Sequence, residues 1–193
     1  MEGPPSVHVA LLRGINVGGK NRLAMRELSE VFTSIGCTSV ESYIQSGNVI
    51  FRTTQRLAAE VPKRVAERLA EHFGLRVPVV TRTASQLRAA VKANPFVKAG
   101  VDLATLHVAF LGDRPSREQV ASLEPQRSPP DEFVVYGREV YLRFPNGSAR
   151  TRLTNSHLDA KLATVSTVRN WRTVLKLLEL ATVGGRTEGK RRG

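Results

Sequence analysis

The stretch VESYIQSGNVIFRT, residues 40–53, decides the fold class. Two runs of strand-forming residues, 40–45 and 49–53, flank Ser46-Gly47-Asn48, a turn signal that closes a β-hairpin. Paired strands in a hairpin are antiparallel, which argues against a doubly wound parallel sheet. Upstream, residues 7–12 (VHVALL) form a short apolar run suited to a buried strand. A glycine-rich loop follows, and then Met25, Leu28, Phe32 and Ile35 recur at helical spacing until Gly36. Downstream, Leu57, Val61, Val65, Leu69 and Phe73 draw an apolar stripe along a helix that Gly74 closes. Pro62 is expected in the first turn of that helix, where a missing N–H costs little. Residues 77–81 supply a fourth strand. The order is βαββαβ, the split βαβ or ferredoxin-like plan.

The second half of the chain repeats it. Residues 106–111 (LHVAFL) echo 7–12, with His107 in the place of His8. A short helix at 116–123, a loop marked by Pro125, Pro129 and Pro130, and a hairpin about Gly137 (133–136 and 139–144) follow. Residues 150–162 read as helix, 164–168 as strand and 170–181 as a final helix. The fold class expected is therefore α+β: two tandem ferredoxin-like halves with antiparallel sheets, plus a C-terminal helix. The division expected is a half at 1–82, a linking helix and loop at 83–104, a second half with the C-terminal helix at 105–183, and a flexible basic tail at 184–193. A single mixed sheet shared by both halves is the alternative.

Composition narrows the classes. The 193 residues are 41% hydrophobic and 24% charged, ordinary for a globular chain and unlike a disordered one. No apolar run approaches the roughly 18 residues of a membrane span. The segment MEGPPSVHVALL lacks the basic leader and apolar stretch of a signal peptide, and a single cysteine, Cys37, cannot form an internal disulfide. These features fit a cytoplasmic protein without a membrane partner. The net charge of +12 is distributed as +7 over residues 1–98, −2 over 99–148 and +7 over 149–193. Such a balance points to anionic partners, nucleic acid among them.

The loop at 14–21 fits G-x-x-x-x-G-K but has Asn21 where a phosphate-binding loop needs a hydroxyl for Mg²⁺, and the following helix starts late, near Met25. A nucleoside triphosphatase is therefore not expected. Glycine amides with Arg13, Lys20 and Arg22 remain candidates for holding an anion, against the plainer reading of a turn that needs glycine. His8, His72, His107 and His157 are dispersed and no Cys-x-x-Cys pair exists, so neither a metal site nor a cofactor is expected. His8 and His107 read as packing residues of the sheet, and Trp171 as a core anchor beside the helix cap Asn170. Cys37, at the negative end of a helix dipole, is expected to have a raised pKa, the wrong direction for a nucleophile.

Three segments, LRGINVGGK at 12–20, YIQSGNVIF at 43–51 and TVRNWRTVLKL at 167–177, closely resemble a bacterial family catalogued as domain of unknown function 1697. The resemblance covers nearly the whole chain and implies an α+β protein of ferredoxin-like character. It implies no activity and no catalytic residues. The candidate ligand-binding residues come from the polar groups of the segments themselves: Arg13, Asn16, Gly18, Gly19, Lys20, Gln45, Asn48, Arg169 and Asn170. They form a recognition set without an evident general base. Three readings follow: binding of a phosphate-rich anion or nucleic acid, an enzyme acting on a small anionic metabolite, or a structural or protein-interaction module. An RNA-binding sheet needs exposed aromatic residues on its central strands, where the sequence offers only His8 and Phe51.

Overall fold

The structure, a computed structural model, describes residues 4–183. Residues 184–193, expected as a mobile basic tail, lie outside the described residues. The chain divides into two compact units: unit 1 is drawn from residues up to Arg88 and from Lys176 onward, and unit 2 is Ala89–Leu175.

Unit 1 runs β1 (Ser6–Leu12), α1 (Met25–Ser34), β2 (Thr38–Tyr43), β3 (Asn48–Thr53), α2 (Gln55–Phe73) and β4 (Val79–Thr83), and then enters α3 (Ala84–Ala93). Its sheet is antiparallel in the order β2-β3-β1-β4. On β1, His8 lies opposite Phe51 and Thr83, and Ala10 lies opposite Val49 and Thr81. Side chains alternate along a strand, so Ala10, Leu12, Val49, Phe51 and Val79 share one face. That face packs with Leu28 and Phe32 of α1 and with Val61, Val65 and Leu69 of α2. Each of the Val, Leu and Phe side chains contributes roughly 1.5–3 kcal/mol on full burial.

Helix α2 starts earlier than its apolar stripe. The Thr54 hydroxyl accepts from Leu57 N at 3.4 Å, and a left-handed Gly74 ends the helix. Pro62 therefore lies in the helix interior and not in its first turn. Its missing N–H leaves the Ala58 carbonyl without an intrahelical donor, a cost carried by the packing of Val61 and Val65.

Unit 2 contains α4 (Pro95–Lys98), β5 (Leu106–Leu111), α5 (Arg117–Ala121), β6 (Glu132–Tyr136), β7 (Glu139–Arg143), α6 (Asn155–Leu162) and β8 (Ser166–Asn170), and α7 (Trp171–Val183) begins there. Its antiparallel sheet has the order β6-β7-β5-β8, the counterpart of the order in unit 1. Ala109, Leu111, Val140, Leu142 and Phe144 pack with Leu158 and Leu162 of α6. Helix α6 starts at Asn155, five residues later than expected, because Thr154 accepts from His157 N at 3.2 Å and fixes the cap there. Strand β8 extends to Asn170, whose side chain accepts from Thr173 N at 2.8 Å and caps α7. The protein is α+β, with two four-stranded antiparallel sheets and both expected hairpins.

The exit of β1 is pinned on both sides. Leu12 N–H donates to the Gly47 carbonyl at 2.8 Å, and Arg13 N–H donates to the Pro78 carbonyl at 3.0 Å. Gly47 has a φ of +71°, and a Cβ there would sit 2.9 Å from Leu12 Cβ and 3.0 Å from Leu12 O. Gly74 has a similar φ of +66° but nothing within 4 Å of an added Cβ. Urea unfolding should show alanine costing about 1 kcal/mol at Gly74 and roughly 2–4 kcal/mol at Gly47. Equal losses would mean that the contact with Leu12 is immaterial.

Candidate functional site

After β1 the chain makes a loop that closes on itself. Val17-Gly18-Gly19-Lys20 is a tight turn in which Lys20 N–H donates to the Val17 carbonyl at 3.1 Å. Gly18 and Gly19 both have positive φ, +59° and +75°, the pattern of a type I′ turn that glycine pairs favour. Asn16 clamps the loop from within: its amide donates to Leu23 O and accepts from Leu23 N, both at 2.9 Å. Asn21 Nδ2 donates to Gly14 O at 3.0 Å. Two asparagines that read as ligand groups or hydroxyl substitutes are thus engaged with the backbone.

The β2–β3 turn is built on the same logic. Asn48 is fully buried and its Nδ2 donates to Ser46 Oγ at 2.9 Å and to Tyr43 O at 3.3 Å. Ile44 adopts a φ of +49°, a strained conformation for a β-branched residue, and is 50% exposed. Gln45 follows it at the surface.

These two turns meet at one end of the unit 1 sheet. A cleft of about 590 Å³ is lined by Asn16, Gly19, Arg22, Ala24, Met25 and Gln45, with Leu23 beneath. Helix α1 opens at this cleft. Its cap residue, Ala24, has no side chain to satisfy the first-turn amides, whereas Thr54, Ser116 and Thr154 cap α2, α5 and α6. The first helical bond runs from Leu28 N to Ala24 O, so the amides of Met25, Arg26 and Glu27 precede it. Glu27 turns back to accept from Ala24 N at 3.1 Å. Lys20 and Arg22 are exposed and have no ion-pair partner among the described residues. The late start of α1 does not separate it from the glycine turn, because the Asn16–Leu23 clamp folds the loop back. Sequence periodicity located Met25 but contained no signal for that return.

Of the other candidates, Arg13 is half-buried at the pinned exit of β1. Arg169 and Asn170 belong to unit 2. The Arg169 guanidinium donates from Nη1 to Thr167 Oγ1 at 2.7 Å and to Val168 O at 2.9 Å. The residue keeps some surface exposure, but its charged head is desolvated, which lowers its pKa to about 10 and leaves it protonated at neutral pH. Arg82 on β4 was no sequence candidate, yet it is only 1% exposed, with Nη1 donating to Thr81 O at 2.9 Å.

The buried groups divide from the surface ones as expected. His8 is 6% exposed, stacks on Phe51 at 5.6 Å and shares a 2.9 Å hydrogen bond with Ser6 Oγ. Phe51 is buried too, so neither aromatic residue offers a stacking surface to a base. Burial pushes the Cys37 thiol up to about 11; desolvation is the leading cause, in place of the helix dipole expected from its position. Among the described residues, no three His, Cys, Asp or Glu side chains are grouped to hold a metal ion, and no helix is long and apolar enough to cross a membrane.

A family described as "Protein of unknown function (DUF1697)" matches residues 6–141. Among solved structures, the chain is similar to the conserved bacterial protein SP0830 from Streptococcus pneumoniae. The two are 26% identical with a TM-score of 0.69, over 92% of this chain and 99% of that one. No curated protein matches the chain.

The histidines give the stability of the fold a pH dependence. Burial lowers the pKa of His8 and His107, and burial together with Arg127 lowers that of His157. The folded chain then binds fewer protons than the unfolded chain below the ordinary imidazole pKa of about 6.5. Stability is complete above that value and falls as the pH drops through it toward the lowered folded values. Tm should decline between about pH 7 and pH 5, and the His8→Gln/His107→Gln variant should decline less steeply. An unchanged slope in the variant would assign the effect to other groups.

Proposed function

The chain belongs to the DUF1697 family, and from that premise we propose that it binds a small phosphate-bearing or similar anion in the unit 1 cleft. The observation that carries this reading is the convergence on one cleft of a glycine turn, an uncapped helix start, Arg22 and Gln45. Unsatisfied amides at a helix N-terminus favour a bound anion, because they donate hydrogen bonds and lie at the positive end of the helix dipole. Arg22 adds an exposed charge, and Gln45 adds a neutral donor from the β2–β3 turn. Glu27 tempers the site: its carboxylate already occupies one amide, so an incoming anion is held mainly by the amides that remain.

The same geometry weighs against extended electrostatic binding of nucleic acid. His8 and Phe51 are in the core, and the groups that favour an anion are gathered in a concave place sized for a small ligand. It also gives the fixed residues a different task. Asn16 and Asn48 shape the turns, and Arg22 and Gln45 face the ligand.

Titration of the full chain with inorganic phosphate at low salt tests the reading. Binding should raise Tm as the phosphate concentration exceeds Kd. Arg22→Ala should weaken the affinity by about 1.5 kcal/mol, the scale of a charge-assisted hydrogen bond, and leave Tm without phosphate within about 2 °C. Affinity indifferent to both Arg22→Ala and Gln45→Ala would overturn the proposal. So would RNA binding that is much tighter than phosphate and insensitive to both changes.

A further inference from the structure

Unit 2 pins the exit of its first strand as unit 1 does. Leu111 N–H donates to the Arg138 carbonyl at 2.9 Å, across the β6–β7 turn, and Gly112 N–H donates to the Val165 carbonyl at 2.8 Å, just before β8. These bonds correspond one for one to those of Leu12 and Arg13 with Gly47 and Pro78. A cleft of about 430 Å³ opens at the corresponding place, between the loop after β5 and the β6–β7 turn. Its floor is Val120 and Val135, its rim carries Arg114 and Arg117, and Tyr136 closes one side.

The lining chemistry differs from that of unit 1. Ser116 Oγ accepts from Gln119 N at 3.2 Å and Gln119 Oε1 accepts from Ser116 N at 2.7 Å, so these two amides pair with each other's side chains. The charged donors are the guanidinium groups: Arg114 and Arg117 have no ion-pair partner among the described residues. Tyr136 is 66% exposed at the end of the edge strand β6, an aromatic ring held at the surface beside two arginines. An apolar floor and an exposed ring accept a flat apolar face, and guanidinium groups accept phosphate oxygens in bidentate fashion.

We propose that unit 2 carries a second ligand site, formed by Arg114, Arg117 and Tyr136, that takes a phosphate attached to a planar ring, as in a nucleotide. The cleft volume falls within the roughly 300–1,000 Å³ of small-ligand sites. Glu118 opposes the anion: the Ser116 hydroxyl donates to its Oε2 at 2.7 Å and holds its carboxyl below the usual range, so it stays ionised. Its charge sets the affinity lower than two arginines alone would give. The site is independent of the unit 1 reading, since no residue is shared.

The test is titration of the full chain with adenosine monophosphate, followed by amide NMR signals, with adenosine and inorganic phosphate as single-part probes. The expected result is saturable binding that shifts signals of residues 112–117 and 135–138, with each single-part probe about tenfold weaker or more. Tyr136→Ala and the Arg114→Gln/Arg117→Gln variant should each weaken the nucleotide about tenfold, Tyr136→Phe should retain it, and Glu118→Gln should tighten it severalfold. No shift of these signals up to about 10 mM would overturn the proposal. So would shifts that survive both weakening variants, or phosphate binding as tight as the nucleotide. Shifts confined to residues 16–25 and lost with Arg22→Ala would overturn the second site and uphold the first. Absence of those shifts, with the unit 2 shifts present, would do the reverse.

Discussion

Two backbone hydrogen bonds at the exit of β1, Leu12 N to Gly47 O and Arg13 N to Pro78 O, hold together everything that gives unit 1 a site. In the antiparallel order β2-β3-β1-β4, the end of β1 lies beside the start of β3 and the start of β4. The loop leaving β1 and the turn entering β3 must therefore share one end of the sheet. The pin brings them into contact, and Gly47 permits it because any larger residue would collide with Leu12. Had the turn stood away from β1, Gln45 and the glycine turn would line no common cleft.

The periodicity of the apolar residues was enough for the fold. Hairpins about Gly47 and Gly137, helical stripes closed by Gly36 and Gly74, and the echo of VHVALL in LHVAFL led to βαββαβ twice. What escaped depended on side chains competing for backbone groups. Thr54 and Thr154, and not the apolar stripes, set where α2 and α6 begin, which moved Pro62 into a helix interior and shortened α6. The candidate site was legible as a set of segments and less so as roles. An asparagine amide binds a ligand or a neighbouring carbonyl equally well on paper, and only the return of the chain at Leu23 and Tyr43 shows Asn16 and Asn48 serving the backbone. Arg22 was visible as a loop charge, but the absence of a side-chain cap at Ala24 acquires meaning only beside the cleft.

The repeat also reaches residues that look unrelated in sequence. Arg82 faces Val9 across the β1–β4 ladder, and Arg169 faces Val108 across the β5–β8 ladder. Each donates from Nη1 to the carbonyl of the residue before it, at 2.9 Å in both cases. Each is followed by a residue that caps the next helix, Thr83 accepting from Gln86 N and Asn170 from Thr173 N. Drawing a guanidinium out of water is expensive unless its donors are satisfied, and the adjacent carbonyl is an acceptor that strand geometry always supplies. The arrangement thus recurs at the same register of the last strand of each half, with the adjacent carbonyl satisfying one of the guanidinium donors.

The two halves differ most where the pinned strand ends. Unit 1 takes a dozen residues from Leu12 to the start of α1 and includes the glycine turn, so its first-turn amides can be left uncapped and open to solvent. Unit 2 reaches α5 after a shorter loop in which Ser116 and Gln119 cap each other's amides, and the charged donors that line its cleft are arginine side chains. Backbone amides are fixed in direction and select for size and charge, whereas guanidinium groups on flexible stems adapt to a larger ligand and need an apolar surface to orient it. Val120, Val135 and Tyr136 provide that surface in unit 2, and unit 1 has no aromatic residue lining its cleft. One scaffold position thus carries two different linings, a glycine turn and an uncapped helix start in unit 1, and two arginines with Val120, Val135 and Tyr136 in unit 2.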